Sequence, residues 1–284
     1  MAFISKSEKH LGTVFLIKLP ETNEDLFDSC FSLLFSFEKK YTRFSNTSFL
    51  TELNSSLNVW RDIDDETYQL FSFAKNVAKS TNNAFDVGVK SQLDNLGYDS
   101  SLSFVEKKQP FMYIQDSFIL HSSKKKVYLK KEVDFGGLGK GFVIDKLVSF
   151  LEEKNVSSFF ISGGGDIYAK GSFDVFLENP LDPSYAIGKV VLDNCAIASS
   201  SSNRRSFGRY HHLLDAKTGL PANEILAIYV LGKTALEADA YATAFFTAGL
   251  RNAIELSEHL MIPILLITSD KKVYCSNSFV YEQY

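Results

Sequence analysis

Cysteine is scarce in this chain, and the three present do not pair off. Cys30, Cys195 and Cys275 stand far apart, with no CxxC and no Cys/His cluster, so neither a disulfide framework nor a structural zinc site is indicated. A basic excess is missing too. Lys and Arg number 30 against 34 Asp and Glu, a net charge of −4, which argues against a nucleic-acid partner. The one basic cluster, Lys124–Lys126 with Lys130 and Lys131, lies beside an expected hairpin and reads as a solvated edge whose lysines block strand pairing. No apolar run reaches the roughly 18 residues that span a bilayer, so no transmembrane segment is expected. The N-terminal MAFISKSEKHLGT has no apolar core or small-residue cleavage site of the signal-peptide kind. As it stands the sequence reads as cytoplasmic, the alternative being a periplasmic or membrane-anchored protein trimmed of its leader.

What is present describes a globular chain. It has 284 residues, 45% hydrophobic and 23% charged, enough for one large domain or two modest ones with real cores. The 25 phenylalanines read as packing. Strands are expected at Gly12–Leu19, within MYIQDSFIL (112–120) and KVYLK (126–130), and at Ser158–Ser162, Asp174–Leu177, Gly188–Leu192, Ile225–Leu231, Pro263–Thr268 and Lys272–Cys275. Helical spacing marks Asn23–Tyr41 (Asn23 as N-cap), Thr67–Lys79, Gly141–Lys154 and Ala235–Leu250. Without regular βαβ alternation and with several hairpins, the pattern favours an α+β fold of mixed or antiparallel sheets with packed helices. Residues 1–284 are read as a single domain, with two closely packed lobes and the site between them as the alternative.

The segment VDFGGLGKGFVID (133–145) gathers four glycines in six positions and a lysine at the entrance of a helix. Such a run lets backbone approach a ligand, and the helix N-terminus attracts phosphate. It fits neither the P-loop nor GxGxxG. Asp239 and Thr243 share one helix face a turn apart, a carboxylate plus a hydroxyl that suits Mg²⁺; equally, Asp239 could cap the helix and Thr243 bond back to a carbonyl. His212, three residues before Asp215 and ahead of a Gly-Leu-Pro turn, is either a general base or a structural histidine. The serines of AIASSSSN (196–203) end a strand and carry no nucleophile signature.

In order along the chain, HLGTVF (10–15), EKKYTRFSNTSFLTELN (38–54), AFDVGVKSQLDNLGYD (84–99), DFGGLGKG (134–141), ISGGGDIYAKG (161–171), HLLDAKTGLP (212–221) and ADAYATAFFTAG (238–249) resemble the motifs of the ApbE family, the FAD:protein FMN transferases. The resemblance runs from His10 to about Leu250, some four fifths of the chain. It implies the T-fold-like architecture of that family. It also implies Mg²⁺-dependent transfer of FMN from FAD to a Thr or Ser hydroxyl of an acceptor flavoprotein, with release of AMP. The metal ligands carried over are Asp239, Thr243 and the Gly137 carbonyl. The FAD contacts carried over are Leu11, Phe44, Ala84, Phe85, Asp86, Asp134, Lys140 and Leu213, and the base is His212. Departures from the pattern are Leu11 for Met, Phe44 for Tyr, Gly88, Lys90 and Ser91 for Thr, Gly and Pro, Gly139 for Ala and Ser201 for Gly; Ala242 stands where some members place a second acid. Two other readings of the same site are an FAD pyrophosphatase giving FMN and AMP, and an FAD-binding protein without turnover.

Overall fold

A nine-stranded antiparallel sheet organises the computed structural model, which describes residues 2–110, 113–204, 206, 207 and 210–284. Its path starts with the hairpin of β1 (Phe3–His10) and β2 (Thr13–Pro20), paired in unbroken register from Phe3 opposite Pro20 to His10 opposite Thr13. Leu11 and Gly12 make the turn, both with positive φ (52° and 72°). β1 is absent from the sequence expectations because its run Ser5–Lys9 is exposed throughout and shows no apolar alternation.

The helix expected from Asn23 begins instead at Phe27. Residues Glu21–Leu26 form a 3₁₀ stretch in which Asn23 is non-helical (φ −119°) and caps nothing. α1 (Phe27–Tyr41) then buries Phe27, Cys30, Phe31, Leu34, Phe37 and Tyr41 on one stripe. α2 (Phe49–Asn54) is capped by the Ser48 hydroxyl, which accepts from Thr51 N at 3.1 Å. β3 (Trp60–Asp62) precedes α3 (Asp65–Ser80), whose cap is Asp64. A short α4 (Lys90–Asn95) follows. β4 (Phe118–His121) and β5 (Lys126–Leu129) complete a small sheet with β3 in the order β3-β5-β4. Only the last part of the 112–120 run is strand, and Phe111 and Met112 lie outside the described residues. Within the lysine cluster, Lys131 is not a solvated edge residue: it pairs with Asp86 at 2.9 Å.

α5 (Gly139–Glu153) leads into β6 (Phe159–Gly163), β7 (Asp166–Glu178) and β8 (Ala186–Ser201), the last two far longer than their apolar runs suggest. A two-stranded pair, β9 (Ser206–Phe207) and β10 (Tyr210–His211), precedes β11 (Ile225–Gly232). The helix expected over Ala235–Leu250 divides at Gly249 (φ 81°) into α6 (Ala235–Ala248) and α7 (Leu250–Leu260). β12 (Ile264–Thr268), β13 (Val273–Cys275) and β14 (Glu282–Gln283) close the chain. The large sheet runs β1-β2-β6-β7-β8-β11-β12-β13, with β14 added beside β8.

Alternation puts the two faces of this sheet into different cores. Phe15, Ile17, Phe159, Ile161, Ala196, Ala198, Ile228 and Val230 face the helices. Val175, Leu177, Val190, Leu192, Ile197, Ala227 and Tyr229 gather on the other side with Phe279. No helix among the described residues is long and apolar enough to cross a membrane.

Candidate functional site

The first turns of α5 and α6 are brought together by sequence-local choices. A Cβ on Gly141 would sit 2.3 Å from the Ala235 carbonyl oxygen, so only glycine permits this approach. Across the contact, Asp145 accepts from Ala235 N (2.8 Å) and Leu236 N (3.0 Å), and Asp239 Oδ2 accepts from Gly141 N (2.9 Å). Asp145 thus satisfies α6 amides that the helix itself leaves open. Burial pushes its carboxyl up to about 6, with the two amides opposing the shift.

Asp239 is not the cap of its helix. Thr234 fills that position, accepting from Glu237 N at 3.1 Å, while Asp239 lies a turn inside at 3% exposure. A return bond to a helix carbonyl is made by Thr247, whose hydroxyl lies 2.9 Å from Thr243 O and 2.8 Å from Ala84 O. A Cβ placed on Gly137 would meet Thr243 Cγ2 at 3.0 Å and Oγ1 at 3.2 Å. The glycine-loop backbone, the Thr243 hydroxyl and the Asp239 carboxylate are therefore neighbours, although Gly137 and Thr243 are distant in sequence.

Lys140 joins this group. Its ammonium pairs with Asp166 and lies 3.4 Å from Asp239 Oδ1. Asp166, the first residue of β7 and 1% exposed, is absent from the residues expected at the site. Its one signal was the acid closing the Gly163-Gly164-Gly165-Asp166 run. Among the described residues no group of three or more His, Cys, Asp and Glu is placed to hold a metal. A cation here would rest on Asp239, the Thr243 hydroxyl and the Gly137 backbone, completing its shell with water and phosphate oxygen. That all-oxygen set is of the kind Mg²⁺ takes, and the Lys140 ammonium, which lies against the same Asp239 carboxylate, would share it with the metal.

These groups open onto a cavity of about 450 Å³, a size usual for small-molecule sites. Ala84, Phe85, Asp86, Asp134, Gly137, Lys140, His212, Leu213, Asp239 and Thr243 all line it. Leu11 and Phe44 do not; they line an adjoining cavity of about 130 Å³, whose wall also includes Asp134 and Lys140. Asp86 faces the larger cavity with its carboxylate engaged, accepting from Gly88 N (2.8 Å) and the Ser117 hydroxyl (2.6 Å) and pairing with Lys131. Its visible role is to lock the 84–91 loop. The departures in that loop have physical partners. A Cβ at Gly88 would fall 2.4 Å from Ser117 Cβ, Lys90 pairs with Asp94 (2.8 Å) and Glu132 (2.9 Å), and Ser91 donates to Glu132 (2.9 Å).

The two adjacent histidines divide their roles. His211 is 6% exposed, with Nε2 3.1 Å from the Ala222 carbonyl and Nδ1 accepting from Leu213 N at 3.3 Å. Those partners place its proton on Nε2, and burial lowers its pKa. His212, the next residue, lines the cavity. The following turn is held by Asp215, which accepts from Lys217 N (2.8 Å) and the Thr218 hydroxyl (3.1 Å), and by Gly219 at φ 70°.

The sequence profile of the ApbE family matches residues 11–266. The FAD:protein FMN transferase of Haemophilus influenzae is 27% identical over 297 aligned residues, covering 93% of this chain and 86% of that protein. That of Klebsiella pneumoniae is 23% identical, with 94% and 90% covered. The ApbE protein of Thermotoga maritima shares the fold with a TM-score of 0.89 over the whole of both chains at 21% identity. The flavin transferase ApbE from Vibrio cholerae does so at 0.81 over 98% of each, also at 21% identity. With the profile spanning the glycine loop, the His212 turn and α6 alike, and the fold in common, the chain belongs to the ApbE family.

Proposed function

We propose that this protein transfers FMN from FAD to a Thr or Ser hydroxyl of an acceptor flavoprotein, with Mg²⁺ and with release of AMP. The observation that carries the reading is the convergence on one cavity of His212 with Asp239, Thr243, Gly137 and Lys140. The names of the relatives support it.

In this reading the acceptor oxygen attacks the FAD phosphorus that carries riboflavin. The bond from that phosphorus to the bridging oxygen breaks, AMP leaves with the oxygen, and the hydroxyl proton passes to His212. Proton removal by a placed base is typically worth roughly 10²–10⁴-fold. Lys140 and the N-terminal end of α5 face the cavity and favour the phosphates. Bound Mg²⁺ would neutralise charge on the phosphate oxygens. Asp239, Thr243 and the Gly137 backbone would hold it.

Incubation with FAD, Mg²⁺ and a candidate acceptor tests the proposal through in-gel flavin fluorescence and the intact mass of the acceptor. A covalent FMN adduct is expected. AMP formed equally fast without acceptor would favour the pyrophosphatase, and FAD that binds but stays whole would favour a binding protein.

A further inference from the structure

Arg43, one residue past the C-cap of α1, has no role in the site described so far. Its side chain is only 4% exposed, and each part of the guanidinium is engaged. Nε lies 3.2 Å from Asp134 Oδ2, Nη1 donates to Asp94 Oδ1 at 2.9 Å, and Nη2 donates to the Tyr98 carbonyl at 2.5 Å. The Phe44 ring lies 4.6 Å from one side of the guanidinium carbon, and the Tyr98 ring lies 4.7 Å from it. Phe44 and Tyr98 meet edge to face at 5.9 Å. Only a planar, forked cation serves two carboxylates, a carbonyl and two rings at once; a lysine ammonium has neither the fork nor the face.

Three of those partners open onto the cavities: Asp134 and Tyr98 line both and Phe44 lines the smaller, which Arg43 itself also borders. The fourth, Asp94, is held by Lys90, which is held by Glu132, and Ser91 bonds the same glutamate. Lys90 and Ser91 are two of the positions at which this chain departs from the family pattern. A buried cation between two carboxylates stabilises little by itself, since desolvation offsets the attraction. What it fixes is geometry. Without it, Asp134 would lose its cation and Phe44 one face of its packing.

We infer that Arg43 is a positioning residue that sets Asp134 and Phe44 together toward the bound nucleotide, anchored from outside the cavity through Asp94, Lys90 and Glu132. The inference rests on FAD being the ligand of the proposed function.

The test is a double-mutant cycle on FAD affinity, read by flavin fluorescence on the full chain without added metal or acceptor. Arg43→Met and Asp134→Asn are each expected to weaken FAD by roughly tenfold, about 1.4 kcal/mol. The double variant is expected to bind no worse than the weaker single, because the two act as one unit. Additive losses would overturn the inference, as would full affinity in Arg43→Met. If Arg43→Met does not fold, the same cycle with Arg43→Lys decides by the same criterion. Wild type that binds FAD and transfers nothing defeats the transferase reading and leaves the cycle to decide on Arg43. Wild type that does not bind FAD defeats both.

Discussion

The Asp239 carboxylate accepts a hydrogen bond from the Gly141 amide at 2.9 Å while its other oxygen lies 3.4 Å from the Lys140 ammonium. The acid of α6 is thus oriented by the glycine-rich entrance of α5, so loop and acid form one device.

Replacing Asp239 removes the acceptor of one buried amide as well as the acid, so a modest loss of stability is expected beside the loss of chemistry. Asp239→Ala should abolish FMN transfer, with melting within a few degrees of wild type and FAD still bound. EDTA should reproduce the loss in wild type, and added Mg²⁺ should reverse it. Undiminished turnover in Asp239→Ala would sink the metal assignment.

His212→Ala should slow transfer to protein by roughly 10²–10⁴-fold while changing FAD affinity little. His211→Ala is a contrasting case, because His211 is buried and bonded to the Ala222 carbonyl, so its loss should lower the melting temperature. Equal losses of FAD binding and transfer in His212→Ala would argue against a base.

Gly141→Ala and Gly137→Ala should separate fold from site. The first drives a Cβ to 2.3 Å from a carbonyl oxygen across the α5–α6 contact. Overpacking of this kind costs about 1–3 kcal/mol, visible as a lower Tm. The second meets side chains alone, Thr243 at 3.0 Å and Phe85 at 3.3 Å, and should lower turnover with a smaller change in Tm. Differential scanning fluorimetry beside a transfer assay distinguishes them; a larger Tm loss for Gly137→Ala contradicts the scheme.

Asp145 gives the α5–α6 contact a pH dependence. Its carboxyl rises from 3.8 to about 6 on folding through burial, so between those values the folded state binds more protons than the unfolded one. The stability it contributes is present below the lower value and is lost as pH rises through the upper. Asp145→Asn cannot titrate and loses one acceptor oxygen for the two α6 amides. Its deficit in Tm against wild type is expected to narrow from pH 4 to pH 7. A constant deficit would mean that Asp145 titrates as an exposed acid.

Much of the fold was legible where burial follows a simple period. α3 and α5 carry helical stripes, and β2, β6, β11 and β12 are apolar runs, because each packs directly on the core. β1 was not legible, since its exposed Ser5–Lys9 run makes it a strand only by pairing with β2. Asn23 carried a cap signal, but a cap works only where a helix starts, and Pro20 leads first into a 3₁₀ stretch. The break at Gly249 depends on a positive φ that the Ala-rich run before it does not announce.

The site divides in the same way. The glycine loop, the His212 turn and the Asp239/Thr243 pair are short segments whose chemistry is written in neighbouring residues, and the sequence by itself determined that they exist and in what order. Tertiary structure alone decided that Gly137 lies against Thr243, that Lys140 stands between Asp166 and Asp239, that Leu11 and Phe44 belong to a second, smaller cavity, and that Arg43 meets Asp134. Each of these joins residues far apart in the chain. Such contacts are fixed by how sheet and helices pack, which no local period or motif encodes.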